Sequence, residues 1–196
     1  LQGALESHNI DYKVSFGFWG QPSQRRRLAL SYKKTQKGLL LGFYRHRSHI
    51  VEPIESCPLI TSTLNTLIAP LREFLEQMVT SGQSGFVHLT DLDGKICLSW
   101  SPARFKSRDL SANLIEQWSA FAQKYGVARV TRAAKDLICQ LETPVLDWSG
   151  HKVPFPSASF LQPSISSQDF MIQQMRRYLD LITFKPEAYF DLFCGL

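Results

Sequence analysis

The sequence predicts an α+β fold with a largely antiparallel sheet and two or more helices. Two patterns support this prediction: short apolar stretches separated by turn residues, as in β-hairpins, and segments whose apolar residues recur every three or four positions, as in amphipathic helices. Hairpins interrupted by helices are typical of this fold class. The chain has 196 residues, of which 44% are apolar and 20% charged, so it is long enough to form one sizeable core.

Most of the sheet is predicted from short apolar segments. Eight segments have this pattern: 25–32, 39–44, 50–52, 86–89, 95–100, 127–130, 137–141 and 145–148. The residues between them mark the turns. Segment 33–38 is polar and ends in the turn residue Gly38, and Asp93-Gly94 is a strong signal for a tight hairpin. Residues 1–24 are short and rich in glycine and aromatic residues, and they are predicted to be an irregular lead-in.

Two amphipathic helices are predicted within residues 25–156, which we interpret as a central α+β domain. The first covers 64–78, with Thr61 or Ser62 as its N-cap. The second extends from about Ser107 to Gly126.

The pattern changes after residue 156. Residues 164–182 have the strongest helical periodicity of the chain, with Ser166 and Asp169 at the spacing of a capping box. An apolar strand is predicted at 188–193, before a glycine. A helix followed by such a strand is how a nucleotide-binding α/β sheet begins, so residues 157–196 are interpreted as a separate unit from the preceding domain.

Charge and composition limit the classes of function. There are 22 Lys and Arg against 17 Asp and Glu, a net charge of +5 that permits a polyanionic partner without requiring one. Four cysteines without a CxxC pair favour a reducing, cytoplasmic location, and no apolar run is long enough to span a bilayer. The sequence has no HExxH motif and no Gly-x-Ser-x-Gly motif, so it does not support a metallohydrolase or serine-hydrolase function. Because the chain starts without methionine and stops beside an apolar stretch, we expect it to be an excised piece of a longer protein.

The first predicted hairpin is basic and aromatic. On a strand, Arg25 and Arg27 share one face, and Lys33 and Lys34 extend the positive surface into the turn. Aromatic residues of the same hairpin offer stacking surface for bases: Tyr32, Phe43 and Tyr44. Basic residues interleaved with aromatic ones suit RNA, whereas a solvated strand face is the simpler alternative.

Three other motifs have both a functional and a structural explanation. Residues 191–195, DLFCG, could open a cofactor loop or end a buried strand. Gln162 could bind a cofactor or cap a helix. Cys57-Pro58 is common at the last ligand of an iron–sulfur cluster, but one thiolate cannot hold a cluster, and a half-buried thiol is the alternative.

In combination and in order, these motifs indicate a family. The segments are RRRLALSY (25–32), LGFYR (41–45), IVEPIESCPLI (50–60), SFLQPS (159–164) and DLFCG (191–195). This ordered set resembles the bacterial RNA (uracil-5-)-methyltransferase family, particularly its 23S ribosomal RNA branch, which carries an iron–sulfur cluster. The resemblance covers about 18–196 and is weakest between 82 and 148.

The resemblance implies a domain layout and roles for particular residues. Family members have an RNA-binding barrel, a central α+β domain and a Rossmann-like domain that binds S-adenosylmethionine, and this chain would contain the second and the start of the third. The implied roles are S-adenosylmethionine contacts for Gln162, Asp191 and Gly195, the fourth ligand of a 4Fe–4S cluster for Cys57, and RNA contacts for Arg25 and Arg27. The family's Val-Asn after the glutamine is replaced by Pro163-Ser164, which changes the backbone beside the cofactor.

The resemblance also implies an activity, the formation of 5-methyluridine in ribosomal RNA. In the family a cysteine thiolate adds to carbon 6 of uracil, carbon 5 takes the methyl group and a base removes the carbon 5 proton. That cysteine and base lie beyond the end of this chain, so we expect the chain alone to be inactive and to bind neither S-adenosylmethionine nor a cluster. RNA is the expected partner, no membrane is involved, and the C-terminal strand could mediate self-association. The alternative function is a self-contained RNA-binding module without methyl transfer.

Overall fold

The computed structural model describes residues 19–104, 110–148, 150–157 and 159–183, together with Ser7. These residues form nine strands and four helices. The strands are β1 Arg27–Thr35, β2 Gly38–Tyr44, β3 Val51–Pro53, β4 Ser84–Leu92, β5 Lys95–Pro102, β6 Val127–Arg132, β7 Asp136–Gln140, β8 Val145–Trp148 and β9 His151–Pro154. The helices are α1 Ser62–Asn65, α2 Ile68–Met78, α3 Ala112–Tyr125 and α4 Ile165–Asp180.

The strands form a seven-stranded sheet and a separate hairpin. The order in the large sheet is β3-β2-β1-β4-β5-β6-β7, and β8 pairs with β9. Every neighbouring pair is antiparallel except β5 and β6, which are parallel because α3 connects them as a crossover. The predicted α+β fold with a largely antiparallel sheet is therefore confirmed.

The large sheet has two unlike faces. The helix face is covered by α2 and α3, and its core contains Leu30 and Leu41 of the sheet packed with Leu71 and Trp118 of the helices. Alternate residues of each strand point to the opposite side, which we call the open face. On its central strands the open face consists of Arg27, Ala29, Ser31 and Lys33 of β1, Ser84, Phe86, His88 and Thr90 of β4, and Cys97, Ser99 and Ser101 of β5.

The β8–β9 hairpin and the segment after it pack over one end of the open face. Leu146 of β8 forms a small second core with Leu92, Phe155 and Leu161, against which Cys97 packs. Ser157 adds a hydrogen bond of 3.2 Å between its hydroxyl and that of Thr131. The opposite end of the open face, around Lys33, is not covered by any of the described residues.

A buried polar pair fixes the centre of the helix face. The indole Nε1 of Trp100 donates to the hydroxyl of Tyr32 over 3.0 Å. Burial raises the pKa of Tyr32 to about 12. Gly85 lies beside this pair, and a Cβ there would be 2.3 Å from the carbonyl oxygen of Ser101 and 2.7 Å from the hydroxyl of Tyr32. Only glycine fits this position without movement of its neighbours.

The first hairpin differs from the prediction. Strand β1 continues to Thr35, which pairs with Gly38, so the turn contains only residues 36–37 and the predicted loop at 33–38 is wrong. Gly38 has a φ of +134°, which favours glycine and allows the tight return. Lys33 and Lys34 consequently lie on the strand and point to opposite faces of the sheet.

The two helices of the central region lie where they were predicted, but their boundaries differ in part from the prediction. The first is interrupted at residues 66–67, which separate α1 from α2, and Thr61 is confirmed as the N-cap because its hydroxyl accepts from the backbone N–H of Leu64. Helix α3 begins at Ala112, with Ser111 as its N-cap, rather than near Ser107.

The C-terminal part of the structure also differs from the prediction. The capping box of α4 is formed by Ser164 and Ser167, so the predicted pair of Ser166 and Asp169 is wrong. Strand β9 was not predicted. The lead-in before residue 19 apart from Ser7, the strand predicted at 188–193 and the loop residues 191–195 lie outside the described residues.

Candidate nucleic-acid interface

Three consecutive arginines at the start of β1 have three different environments. Arg25 is exposed, and its Nε donates to the backbone carbonyl of Arg27 over 3.0 Å. Arg26 is only 5% exposed, and Arg27 is half-buried. The sequence predicted that Arg25 and Arg27 share one face, and Arg26 between them points into the protein because neighbouring strand residues alternate in direction.

Arg26 joins β1 to the segment before helix α4. Its Nε donates to the carbonyl of Gln162 over 2.9 Å, its Nη2 donates to Oε1 of Gln168 over 2.6 Å, and its backbone N–H donates to the carbonyl of Pro163 over 2.7 Å. Burial lowers the pKa of Arg26, and the nearby carboxylates of Asp93, Asp169 and Asp91 oppose that shift. A buried guanidinium with these partners has a structural role that the sequence analysis did not identify.

Arg27 holds the same segment from the open face. Its Nη1 donates to the carbonyl of Leu161 over 3.0 Å, and its guanidinium lies 5.1 Å from the ring centroid of Phe160. The ring of Phe160 is 72% exposed. Arg26 and Arg27 therefore bind consecutive carbonyls, those of Gln162 and Leu161, from opposite sides of the strand.

A cavity of about 450 Å³ lies between the open face and residues 155–159. This volume is within the range of small-ligand sites, roughly 300–1,000 Å³. Its polar lining includes Arg25, Arg27, His88, Ser99, Thr131 and Ser157. Partial burial of His88, and then the charge of Arg27, lower the pKa of its imidazole, so the ring is neutral at pH 7. The cavity combines two cationic side chains with hydroxyl groups and a neutral imidazole ring.

The two lysines of β1 are separated by the sheet. Lys33 is exposed on the open face, two residues from Ser31. Lys34 is on the helix face, where its Nζ forms an ion pair with Glu76 and donates to the carbonyl of Glu76 over 2.9 Å. The hydrogen bond from Lys34 lowers the pKa of the Glu76 carboxyl. Lys34 is therefore not brought together with Arg25, Arg27 and Lys33, because a carboxylate on α2 already holds its charge.

Tyr44 is on the open face, where it contacts aromatic residues that the sequence analysis did not select. Its ring is 5.9 Å from that of Phe86 and 5.8 Å from that of His49, both in edge-to-face geometry. The other aromatic residues of the first hairpin lie elsewhere: Tyr32 is buried in the core, and Phe43 is on the helix-face side of β2. The alternation of residues 86–89 was the available signal for Phe86, but their pairing with β1 is not visible in sequence.

Cys57 lies in a loop that is fixed by one side chain. Its backbone N–H donates to Oδ1 of Asn65 over 2.8 Å, and Nδ2 of Asn65 donates to the carbonyl of Cys57 over 2.9 Å. The thiol is half-buried and not in a disulfide. Among the residues that the structure describes, no group of three or more His, Cys, Asp or Glu side chains could hold a metal ion. Within the described residues, Cys57 therefore has no neighbouring side chains that would complete a cluster site with it.

Gln162 is positioned through its backbone and free at its side chain. The carbonyl accepts from Arg26, whereas the half-buried side-chain amide makes no hydrogen bond to the described part of the chain. An amide in this state can donate to or accept from a cofactor. The two other residues implied in cofactor binding, Asp191 and Gly195, lie outside the described residues.

Comparisons with known proteins find relatives that are named as RNA methyltransferases. No protein-family model matches the sequence. An uncharacterized RNA methyltransferase of Agrobacterium fabrum is 29% identical over 192 residues, which are 98% of this chain and 44% of that protein. The 23S rRNA (uracil(1939)-C(5))-methyltransferase RlmD of Aeromonas hydrophila is 28% identical over 173 residues, covering 87% of this chain and 38% of the relative. The chain thus spans less than half the length of the curated relatives it matches.

A solved structure has a similar fold. The tRNA (uracil-54, C5)-methyltransferase of Pyrococcus abyssi, in complex with S-adenosyl-L-homocysteine, has a TM-score of 0.59 with 12% identity, over 90% of this chain and 45% of that one. At this level of sequence identity the match shows that the two proteins share a fold. The predicted resemblance to the RNA uracil-5-methyltransferases is confirmed by the sequence relatives. No described helix is long and apolar enough to cross a membrane.

Proposed function

We propose that the full-length protein is an S-adenosylmethionine-dependent methyltransferase that forms 5-methyluridine in ribosomal RNA. In this proposal the chain supplies the central domain, residues 25–156, and the start of the methyltransferase domain, residues 157–196. The catalytic cysteine and base belong to the remainder of the protein, so this chain alone is inactive. The support comes from the relatives, which are similar over nearly the whole chain and include ribosomal RNA uracil-5-methyltransferases.

The contacts between the basic strand and the segment of Gln162 indicate which residues take part. Arg26 and Arg27 hold the backbone carbonyls of residues 161–163, so the basic strand and the segment of Gln162 form one rigid unit. S-adenosylmethionine, when bound, supplies the methyl group. We propose that the free side-chain amide of Gln162 orients this cofactor, while the cavity beside Arg27 receives the RNA. The hydrogen bonds of Arg26 and Arg27 would then keep the cofactor site and the RNA site at a fixed distance from each other. Methyl transfer requires this, because the two reactants must be held in position.

The charge distribution favours RNA on the open face. Arg27 and Lys33 lie on it, with Arg25 at its edge, whereas its residues on β1, β4 and β5 include no carboxylate. A cationic surface without acidic groups attracts phosphates over a Debye length and releases counterions when they bind. Lys34, which the sequence placed in this surface, is not part of the proposed interface because Glu76 neutralises it.

The test is a methylation assay on the full-length gene product. The protein is incubated with S-adenosylmethionine and a 23S ribosomal RNA transcript, and 5-methyluridine is measured by nucleoside mass spectrometry. We expect stoichiometric 5-methyluridine at one position. RNA binding without any methylated nucleoside would instead support the alternative, a self-contained RNA-binding module, and would contradict the proposal.

Cofactor binding also separates this chain from the full-length protein. We expect isothermal titration to show S-adenosylmethionine binding to the full-length protein and none to residues 1–196 alone. Micromolar binding by the short chain would contradict an incomplete cofactor site. In the short chain, the strand proposed at its end would lack its neighbours and could pair with a second copy, which sedimentation would show as a dimer.

For the iron–sulfur cluster, we propose that Cys57 is the fourth ligand and that three cysteines upstream of Leu1 complete the set. The half-buried thiol and the two hydrogen bonds between the Asn65 side chain and the backbone of Cys57, which fix its loop, support this role. Iron content of the anaerobically purified full-length protein tests it. Cys57→Ser should lose most of the iron, while Cys139→Ser, which changes a half-buried thiol of β7, should retain it. Equal iron in the two variants would contradict the assignment.

A further inference from the structure

We propose that Tyr44, Phe86 and His88 form a stacking surface, here called the aromatic row, for unpaired bases of the bound RNA. This inference rests on the proposed RNA function and extends the interface from the arginine cavity to the uncovered end of the open face. The row lies on strands β2 and β4, on either side of β1, and the sequence analysis selected only Tyr44 from it.

The register of the sheet brings these rings together. Ser31 of β1 pairs with Gly42 on one side and with Phe86 on the other. The small residues Ala29 and Ser31 leave space above β1, and across it the rings of Tyr44 and Phe86 meet at 5.9 Å and 87°. The ring of Phe86 is in turn 6.4 Å from His88, with an angle of 32° between the planes. The three side chains form a continuous aromatic surface.

The side chains of the aromatic row are exposed to solvent rather than packed in a core. Tyr44 is 40% exposed and Phe86 is 39% exposed, and His88 is also at the surface. The imidazole of His88 is neutral at pH 7 because partial burial and the charge of Arg27 lower its pKa. Neutral planar rings with accessible faces are what unstacked bases pack against in proteins that bind single-stranded nucleic acid.

The charges around the row favour a polyanion over an apolar protein partner. Lys33 and Arg27 are on β1, six residues apart, and therefore stand about 20 Å from each other along the strand. The aromatic row lies between them, and the rest of the open face on β1, β4 and β5 is mostly serine, threonine and alanine. Aromatic groups flanked by cations and small hydroxyl residues match alternating bases and phosphates. Because duplex RNA hides the faces of its bases, the expected ligand is single-stranded.

The test compares single and double substitutions in the full-length protein. The probe is a fluorescent dodecamer of uridine, with a duplex RNA of the same length as the second ligand, and binding is followed by anisotropy. Phe86→Ala and Tyr44→Ala should each weaken single-strand binding by about fivefold or more, since base–aromatic stacking contributes about 1–3 kcal/mol per base. Phe86→Tyr, which keeps a ring, should bind within about twofold of wild type. Duplex binding should change little in all of them.

Phe43→Ala is the matched control. Phe43 is also 39% exposed and lies next to Tyr44 on β2, but it is on the side of the helix face. Its loss should leave binding unchanged. The salt dependence of binding should keep its slope in Phe86→Ala, because no phosphate contact is removed.

The outcomes separate this inference from the proposed function. Equal effects of Phe86→Ala and Phe43→Ala, or equal losses for single-stranded and duplex RNA, would overturn the aromatic row while leaving the methyltransferase proposal intact. Wild-type protein that binds neither RNA would overturn the aromatic row, whereas the methyltransferase proposal would be overturned only by the absence of 5-methyluridine in the methylation assay. A selective loss in Phe86→Ala and Tyr44→Ala, rescued by Phe86→Tyr, would support the row.

Discussion

The guanidinium of Arg26 donates to the carbonyl oxygen of Gln162 over 2.9 Å, across 136 residues of sequence. Arg26 is almost completely buried, so this hydrogen bond is shielded from water and worth more than an exposed one. Its neighbour Arg27 binds the preceding carbonyl, that of Leu161. The segment that precedes α4 is consequently fixed to the central sheet by two adjacent side chains.

The first prediction concerns this contact. Arg26→Ala removes two charge-assisted hydrogen bonds, so local opening of residues 161–168 should become easier by about 2–4 kcal/mol. Hydrogen exchange of that segment in the full-length protein measures the change. Arg25→Ala is the control, because the exposed side chain of Arg25 donates only to the carbonyl of Arg27 within the described part of the chain; its effect should be below about 0.5 kcal/mol. Equal protection in the two variants would contradict the role of Arg26.

The second prediction separates the two lysines of β1. Lys33→Ala should reduce the slope of log binding constant against log salt concentration for single-stranded RNA by about 0.7, the value for one lost phosphate contact. Lys34→Ala should leave the slope as it is, because Glu76 already holds that charge on the helix face. If the Lys34 variant lowers the slope as much as the Lys33 variant, the open face is not the interface.

The third prediction concerns the packing of Gly85. In Gly85→Ala the new Cβ would be 2.3 Å from the carbonyl oxygen of Ser101, a backbone atom that cannot move without disturbing the β4–β5 ladder. We expect the free energy of unfolding to fall by about 2–3 kcal/mol in urea titrations. Gly20→Ala, where a Cβ would meet nothing within 4 Å, is the matched control and should be nearly neutral. A neutral Gly85→Ala would show that the pair of Tyr32 and Trp100 is loosely packed.

The fourth prediction is a pH dependence from Tyr32. Its pKa is raised to about 12, whereas an unfolded tyrosine titrates near 10. Between these values the unfolded chain loses a proton that the folded one keeps, so stability is complete below about pH 10 and falls by about 2–3 kcal/mol as pH rises to about 12. Tyr32→Phe should remove this component, which urea titrations from pH 9 to pH 12 would show. An identical pH profile in the variant would refute the assignment.

The sequence was sufficient for the parts of the fold that local chemistry determines. Asp93 and Gly94 were recognised as a tight turn because both adopt positive φ, at 53° and 91°. Helix positions followed from apolar periodicity, as in α2, and Thr61 from its preference for N-caps. These signals act over a few residues and do not depend on the rest of the chain.

Other features depend on contacts between distant residues and were missed for that reason. Whether Lys34 is free or paired is decided by Glu76 on a helix that begins more than thirty residues later. The buried position of Arg26 depends on where residues 161–168 pack, and the aromatic row depends on the pairing of β1 with β4. Alternation along the strand separated Arg26 from Arg25 and Arg27, but only the tertiary structure supplies the distant carbonyls that Arg26 and Arg27 bind.

The contact of Arg26 has a practical consequence for anyone who prepares shorter versions of this protein. Composition suggests ending the central domain at Pro156, but a chain cut there would lose Leu161 from the small second core and the whole segment that covers and binds Arg26. Such a truncation invites poor expression and aggregation. A C-terminal limit after Asp180, the last residue of α4, keeps every oxygen acceptor of Arg26 on an intact helix and is the better choice for crystallisation or NMR spectroscopy.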